Sequence, residues 1–254
     1  MKRRYKVIIA FFLAIIFILT VLPYLVPVAH IGSEASVHSL MSPSGTFLNI
    51  ESHNIYVEKQ GPVSGEAIVL IHGFGGSTFS WRNNIPFFVE NGYRVIALDM
   101  KGFGLSDRDF QSDHSHKAQA AIVNEVLQQT GIEQAYLIGH SMGSSVMFHF
   151  AHLYPERILG IISVDGFIIL NNSPDFPNVL LNFPPFQRAG RDILTNYLNK
   201  DRFSSILESA YFNKEVLSDD VIDGYYDRSI RTAWEQSLLA MVRDMPQNVI
   251  GFPL

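Results

Sequence analysis

Cysteine is missing from all 254 residues. Its absence excludes a thiol nucleophile, disulfides, cysteine metal sites and a lipidated N-terminal cysteine. Histidine is missing after His152, the last of nine, so the final part of the chain cannot supply an imidazole. Basic clusters are missing beyond Lys2, Arg3, Arg4 and Lys6, and the net charge is −5. A nucleic-acid partner therefore has no electrostatic footprint here. A metal site has no convincing ligand set: His114-Ser115-His116 lacks a carboxylate or third ligand at useful spacing and reads as a solvated loop. No cofactor is expected.

Charge is also absent from residues 7–29. A secretory signal carries an apolar run of about 7 to 15 residues and a small-residue cleavage site, whereas a spanning helix needs about 20 residues. The run sits between the two and leans toward an anchor. Pro27-Val28-Ala29 has the wrong first residue for cleavage, and Ser33-Glu34-Ala35 lies far from the apolar centre. The expectation is a basic cytoplasmic segment over 1–6, a transmembrane anchor or signal over 7–29 and a linker over 30–46. The basic residues stay inside, which places the rest of the chain outside a membrane, or secretes it if the leader is cleaved.

From Phe47 the pattern alternates. Phe47 to Ile50 and Ile55 to Lys59 read as an opening hairpin. Strands follow at Ala67 to Ile71, Arg94 to Leu98, Gln134 to Ile138 and Ile158 to Val164. Between them lie helical patterns at Ser80 to Asn91, Ser115 to Thr130 and Ser144 to Tyr154. Such alternation is the pattern of a mostly parallel sheet wrapped by helices on both faces. Val69-Leu70-Ile71 and Ile161-Ile162 are continuous apolar runs, as expected of strands buried on both faces. After Gly166 the character changes: Asn171 to Phe186 is rich in proline and reads as a loop. Helical patterns then run over Gln187 to Asn199, Ser204 to Phe212, Ser218 to Tyr226 and Arg231 to Met245.

The stretch around which this is organised is Tyr136 to Ser145. An apolar strand turns through Gly139-His140-Ser141-Met142-Gly143 into a helix, the form of a nucleophile elbow. At average usage Gly-x-Ser-x-Gly arises by chance roughly once in three thousand positions, so the strand before it and the helix after it carry the weight. Two further motifs accompany it. Val69-Leu70-Ile71 leads into His72-Gly73-Phe74-Gly75-Gly76-Ser77, and Asp99-Met100-Lys101-Gly102-Phe103-Gly104-Leu105-Ser106 follows the strand ending at Leu98. Together, over about Phe47 to Gly166, these motifs resemble the α/β-hydrolase family, although the family usually has Arg where this chain has Lys101.

The resemblance implies a doubly wound α/β-hydrolase core over 47–166 and a helical cap over 167–254. It also implies a serine hydrolase acting on esters or related acyl compounds. Ser141 would be the nucleophile, and the N–H groups of Phe74 and Met142 would form the oxyanion hole. Asp165, at the end of the last strand, is the one candidate acid, with loop capping as the alternative. Trp81 and Phe79 would line the pocket unless they serve core packing. His72 reads as a scaffold for its turn, and Asp99 as a tie for its glycine loop. A serine at the elbow argues against the branches of the family whose nucleophile is an aspartate, the epoxide hydrolases and dehalogenases. Acyl transfer, carbon–carbon bond hydrolysis and cofactor-free peroxidase chemistry stay open.

In the family's order the acid and histidine follow the serine after further strands. No histidine follows Ser141 by more than eleven positions (His152). The expectation is a chain that stops before the family's last strands, with acid and base supplied by sequence not present. A membrane-anchored, non-catalytic protein built on the same fold is the competing reading.

Overall fold

The computed structural model describes residues 2–25, 35–166 and 182–244. Helix α1 spans Lys2–Thr20, and a short α2, Leu22–Leu25, follows. Among the described residues no helix is long and apolar enough to cross a membrane. The spanning anchor expected over 7–29 is therefore not supported. The uncharged part of α1, residues 7–20, rises only about 21 Å at 1.5 Å per residue, short of a hydrocarbon core of about 30 Å. Residues 26–34 lie outside the described residues, as do 167–181, which hold most of the expected proline-rich loop.

After α3, Val37–Leu40, the chain forms the expected hairpin, β1 Gly45–Ile50 and β2 His53–Gln60. Strands β3 Ala67–Ile71, β4 Arg94–Leu98, β5 Ala135–His140 and β6 Ile158–Val164 complete one sheet in the order β1-β2-β4-β3-β5-β6. The β3, β4, β5 and β6 pairings are parallel, and β1–β2 and β2–β4 are antiparallel. The sheet is thus mixed, with a parallel block around β3.

Alternation along the strands sends side chains to two cores. Val69, Ile71, Ile96, Leu98 and Leu137 face α5, His116–Gln129, and α6, Met142–Leu153, whose Val123, Leu127, Val146 and Phe150 complete that layer. On the other face Ile68, Leu70, Val95, Ala97 and Ile138 meet Trp81 and Ile85. Ile85 belongs to α4, Ile85–Glu90. The helix expected over 80–91 is split into a 3-10 turn, Thr78–Trp81, and α4. Pro86 explains the break, because it has no N–H to return to the preceding turn.

Helix α5 starts at Ser115, whose side chain accepts from Ala118 N, and ends before Gly131 at φ +67°. Both follow from N-cap and C-terminal glycine chemistry. Ile162 is 53% exposed and Ile161 is 43% exposed, so the expected burial of that run fails. β6 is the last strand of the sheet, and among the described residues it is flanked by β5 alone.

Above the strand ends sits a helical cap: α7 Pro184–Tyr197, α8 Lys200–Ala210, α9 Asp219–Ser229 and α10 Trp234–Asp244. Phe203, Tyr225, Ile230 and Trp234 give it a small core of its own.

Candidate active site

Ser141 sits between β5 and α6 with φ 49° and ψ −116°. A side chain in the left-handed region is strained, and such strain persists only where the surroundings impose it. Three contacts impose it here. Ser141 N donates to Val164 O at 2.9 Å. A Cβ on Gly139 would stand 2.6 Å from Gly143 O, and a Cβ on Gly143 would stand 2.3 Å from Ile71 O. Both flanking positions therefore have room for glycine alone. Ser144 Oγ, buried, donates to Gly139 O at 2.6 Å and closes the bend from behind. The Ser141 hydroxyl has no hydrogen-bond partner among the described residues, and it stands at the N-terminus of α6.

The second turn packs against the first. A Cβ on Gly73 would meet His140 Nδ1 at 2.7 Å. His72 is fully buried; its Nδ1–H donates to Gly73 O at 2.7 Å, and its Nε2 accepts from Met100 N at 3.0 Å. Both ring nitrogens are thus engaged in shaping the turn. Burial holds its pKa down at about 4, so the ring is neutral and acts as scaffold. Phe74 is 60% exposed and rests its ring edge on Phe103 at 5.8 Å. Met142 is buried. Neither the Phe74 nor the Met142 N–H donates to an acceptor among the described residues.

Asp99 is a buried tie between two loops. One carboxylate oxygen accepts from Thr78 N and the other from Leu105 N, both at 2.6 Å. Burial raises its pKa to about 6 against these hydrogen bonds. Gly104, at φ +50°, packs so tightly on it that a Cβ would stand 2.0 Å from Asp99 Oδ2.

The remaining sequence candidates are dispersed. Asp165 is exposed at the end of β6 with φ 49°, and no histidine bonds to it among the described residues. Trp81 is buried in the core beneath the sheet with Ile68, Leu70 and Ile138, the packing alternative. His114, Ser115 and His116 are buried, not the solvated loop expected of them, and the two rings turn apart: His114 Nε2 reaches Asp109 O, and His116 Nδ1 reaches Ser145 Oγ at 2.9 Å.

Sequence reading missed the cap's attachments. Ser229 Oγ donates to Gly75 O at 2.6 Å, tying the end of α9 to the glycine turn. Arg108 donates to Gly104 O at 2.9 Å and Arg228 O at 2.7 Å. Such long-range bonds to main-chain carbonyls leave no periodic signal. A cleft of about 490 Å3 between the cap and the loop after β4 does not include Ser141, Phe74 or Met142.

A mixed sheet with a strained serine at a strand-to-helix bend, beside a glycine turn and under a helical cap, defines a class of protein. Residues 66–207 match the model of the alpha/beta hydrolase fold, and the chain belongs to that family. It is 35% identical over 147 residues to epoxide hydrolase B of Mycobacterium tuberculosis, covering 55% of this chain and 40% of that protein. Over 166 residues it is 31% identical to the 2-hydroxy-6-oxononadienedioate/2-hydroxy-6-oxononatrienedioate hydrolase of Comamonas testosteroni, covering 63% and 55% respectively. The chain thus spans about half the length of these relatives or less. Cfl2 of Burkholderia cenocepacia superposes with a TM-score of 0.66 at 24% identity over 80% of this chain and 71% of that one. Epoxide hydrolase A of Mycobacterium thermoresistibile gives 0.65 at 20%, over 82% and 76%. These likenesses carry the fold alone.

Proposed function

We propose that the chain carries the nucleophile and oxyanion hole of a serine hydrolase acting on esters or related acyl compounds. The observation that carries this reading is Ser141 itself, held at φ 49° and ψ −116° at a helix N-terminus with its hydroxyl unengaged among the described residues. In the proposed reaction Ser141 Oγ attacks the acyl carbon, and the Phe74 and Met142 N–H groups hold the resulting oxyanion. The serine proton passes to the leaving group through a base, and water then releases the acid from the acyl-serine.

No imidazole bonds Ser141 among the described residues, so the proposal places the base, and its acid partner, outside them. Asp165 remains a weaker candidate for the acid. A hydroxyl nucleophile separates this chain from ring opening by a carboxylate, despite its likeness to epoxide hydrolases. The Comamonas relative keeps carbon–carbon bond hydrolysis as the second reading, since the same acyl chemistry serves it.

A fluorophosphonate probe tests the proposal, because it labels only an activated serine. Labelling is expected where the chain is joined to the sequence that supplies base and acid, and it should vanish there in Ser141→Ala. Labelling that persists in that variant overturns the role of Ser141. No labelling even with base and acid supplied favours a non-catalytic protein on the same fold. The proposal also places the domain on the outer side of a membrane, from the basic residues ahead of the apolar run. A C-terminal tag should then be digested by protease added to intact cells, and its protection overturns that placement.

A further inference from the structure

Arg108 and Arg231 converge on the cleft of about 490 Å3 where the 231–233 turn of the cap meets the loop after β4. Arg108 spends its guanidinium on main-chain carbonyls: Gly102 O at 3.2 Å, Gly104 O at 2.9 Å, Arg228 O at 2.7 Å and Ser229 O at 3.4 Å. Arg231 has one long bond, to Gly104 O at 3.4 Å. Neither forms an ion pair among the described residues.

Burial, and then the charge of Arg231, pushes the pKa of Arg108 down to about 9, and burial lowers that of Arg231. Two half-buried like charges sharing a cleft are costly, and Asp99 beside both and Glu235 beside Arg108 offset only part of that cost. An anion in the cleft would remove that cost.

The lining limits which anion. Asp107 also faces the cleft, with Oδ2 accepting from Asn54 N at 2.7 Å. Asp107 in the lining and Asp99 behind it temper the two positive charges, which suits a monoanion better than a doubly charged phosphate. Val37, Phe47 and Leu105 give part of the lining an apolar character. The volume is that of a small-molecule site. We infer that this cleft binds an organic monocarboxylate, with its head on Arg231 beside the engaged Arg108 and its apolar body against Phe47 and Leu105. The guanidinium fork matches a carboxylate in shape. Ser141 does not line the cleft, so the inference stands apart from the hydrolase reading.

Calorimetric titration of the full chain with hexanoate tests it, with inorganic phosphate in parallel. Saturable one-site binding of hexanoate is expected in the wild type and equally in Ser141→Ala. Arg231→Met should weaken binding at least tenfold, with Arg231→Lys between the two. Val37→Trp, which fills the cleft from half-buried α3, should abolish binding even if the arginine variants misfold. The inference is overturned by absent hexanoate binding, by binding unchanged in Arg231→Met or in Val37→Trp, or by binding lost in Ser141→Ala. Tighter binding of phosphate than of hexanoate overturns the assignment of ligand class.

Discussion

At Gly143 an added Cβ would stand 2.3 Å from Ile71 O and 2.5 Å from His72 O. Backbone cannot give way as a flexible side chain can, so Gly143→Ala should push the elbow off the glycine turn. A loss of about 1–3 kcal/mol is expected, the usual range for overpacking, together with loss of fluorophosphonate labelling. Urea denaturation and the probe check the two effects separately. Asp99→Asn should cost a similar amount. Its amide nitrogen cannot accept, which leaves Thr78 N or Leu105 N buried without a partner, a penalty of about 1–3 kcal/mol. Hydrogen exchange at those two amides is the direct measurement.

At this scale the glycines, Ser141 and the scaffold roles of His72 and Asp99 were legible, because each sits in a motif whose geometry dictates its residue type. Ser229 and Arg108 were not. The cap carbonyl that Arg108 holds and the turn carbonyl that Ser229 holds are more than 100 positions away, and a carbonyl has no sequence identity to recognise.

Elements were read well where local rules decide them. Ser115 begins α5 as its side chain accepts from Ala118 N at 3.2 Å. Ser115→Ala should lower stability by about 1 kcal/mol, visible as a shifted denaturation midpoint with unchanged slope. The reading went wrong where neighbours decide. Ile161-Ile162 has the composition of a central strand, and periodicity carries no information about which strand lies at the edge. Among the described residues β6 has one strand neighbour, and its exposed apolar residues are a template for pairing with another chain. Replacing Ile162, 53% exposed, with lysine should leave the denaturation midpoint nearly unchanged and reduce concentration-dependent light scattering.

The whole molecule responds to acid through its buried histidines. Burial holds His72, His114 and His116 each at about 4, against 6.5 for a free ring. Between those values the unfolded chain binds protons that the folded chain does not. Stability is therefore complete above about pH 6.5 and lost as pH falls toward 4. Asp99 opposes this: raised to about 6, it takes a proton in the folded state first and returns some stability over the same window. Three groups against one give a net decline, at about 1.4 kcal/mol per proton per pH unit. Urea midpoints from pH 7 to 4.5 should fall, and His116→Asn should flatten the slope by one proton.

The seat of the cap is also a property of the whole. Its attachments to the loop after β4 and to the glycine turn are mostly polar: Arg108 on Arg228 O, Ser229 on Gly75 O, Arg243 on Ser112 O and Asp244 on His114 N. Among the described residues Met241 and Phe79 are apolar exceptions. Lifting such a cap wets Met241 and the Phe79–Tyr225 contact but not the sheet's own cores, so the motion has a smaller heat-capacity change and a weaker urea dependence than global unfolding. The helices of the lid would then exchange their amide protons at a rate set by breathing, well before the sheet beneath them melts.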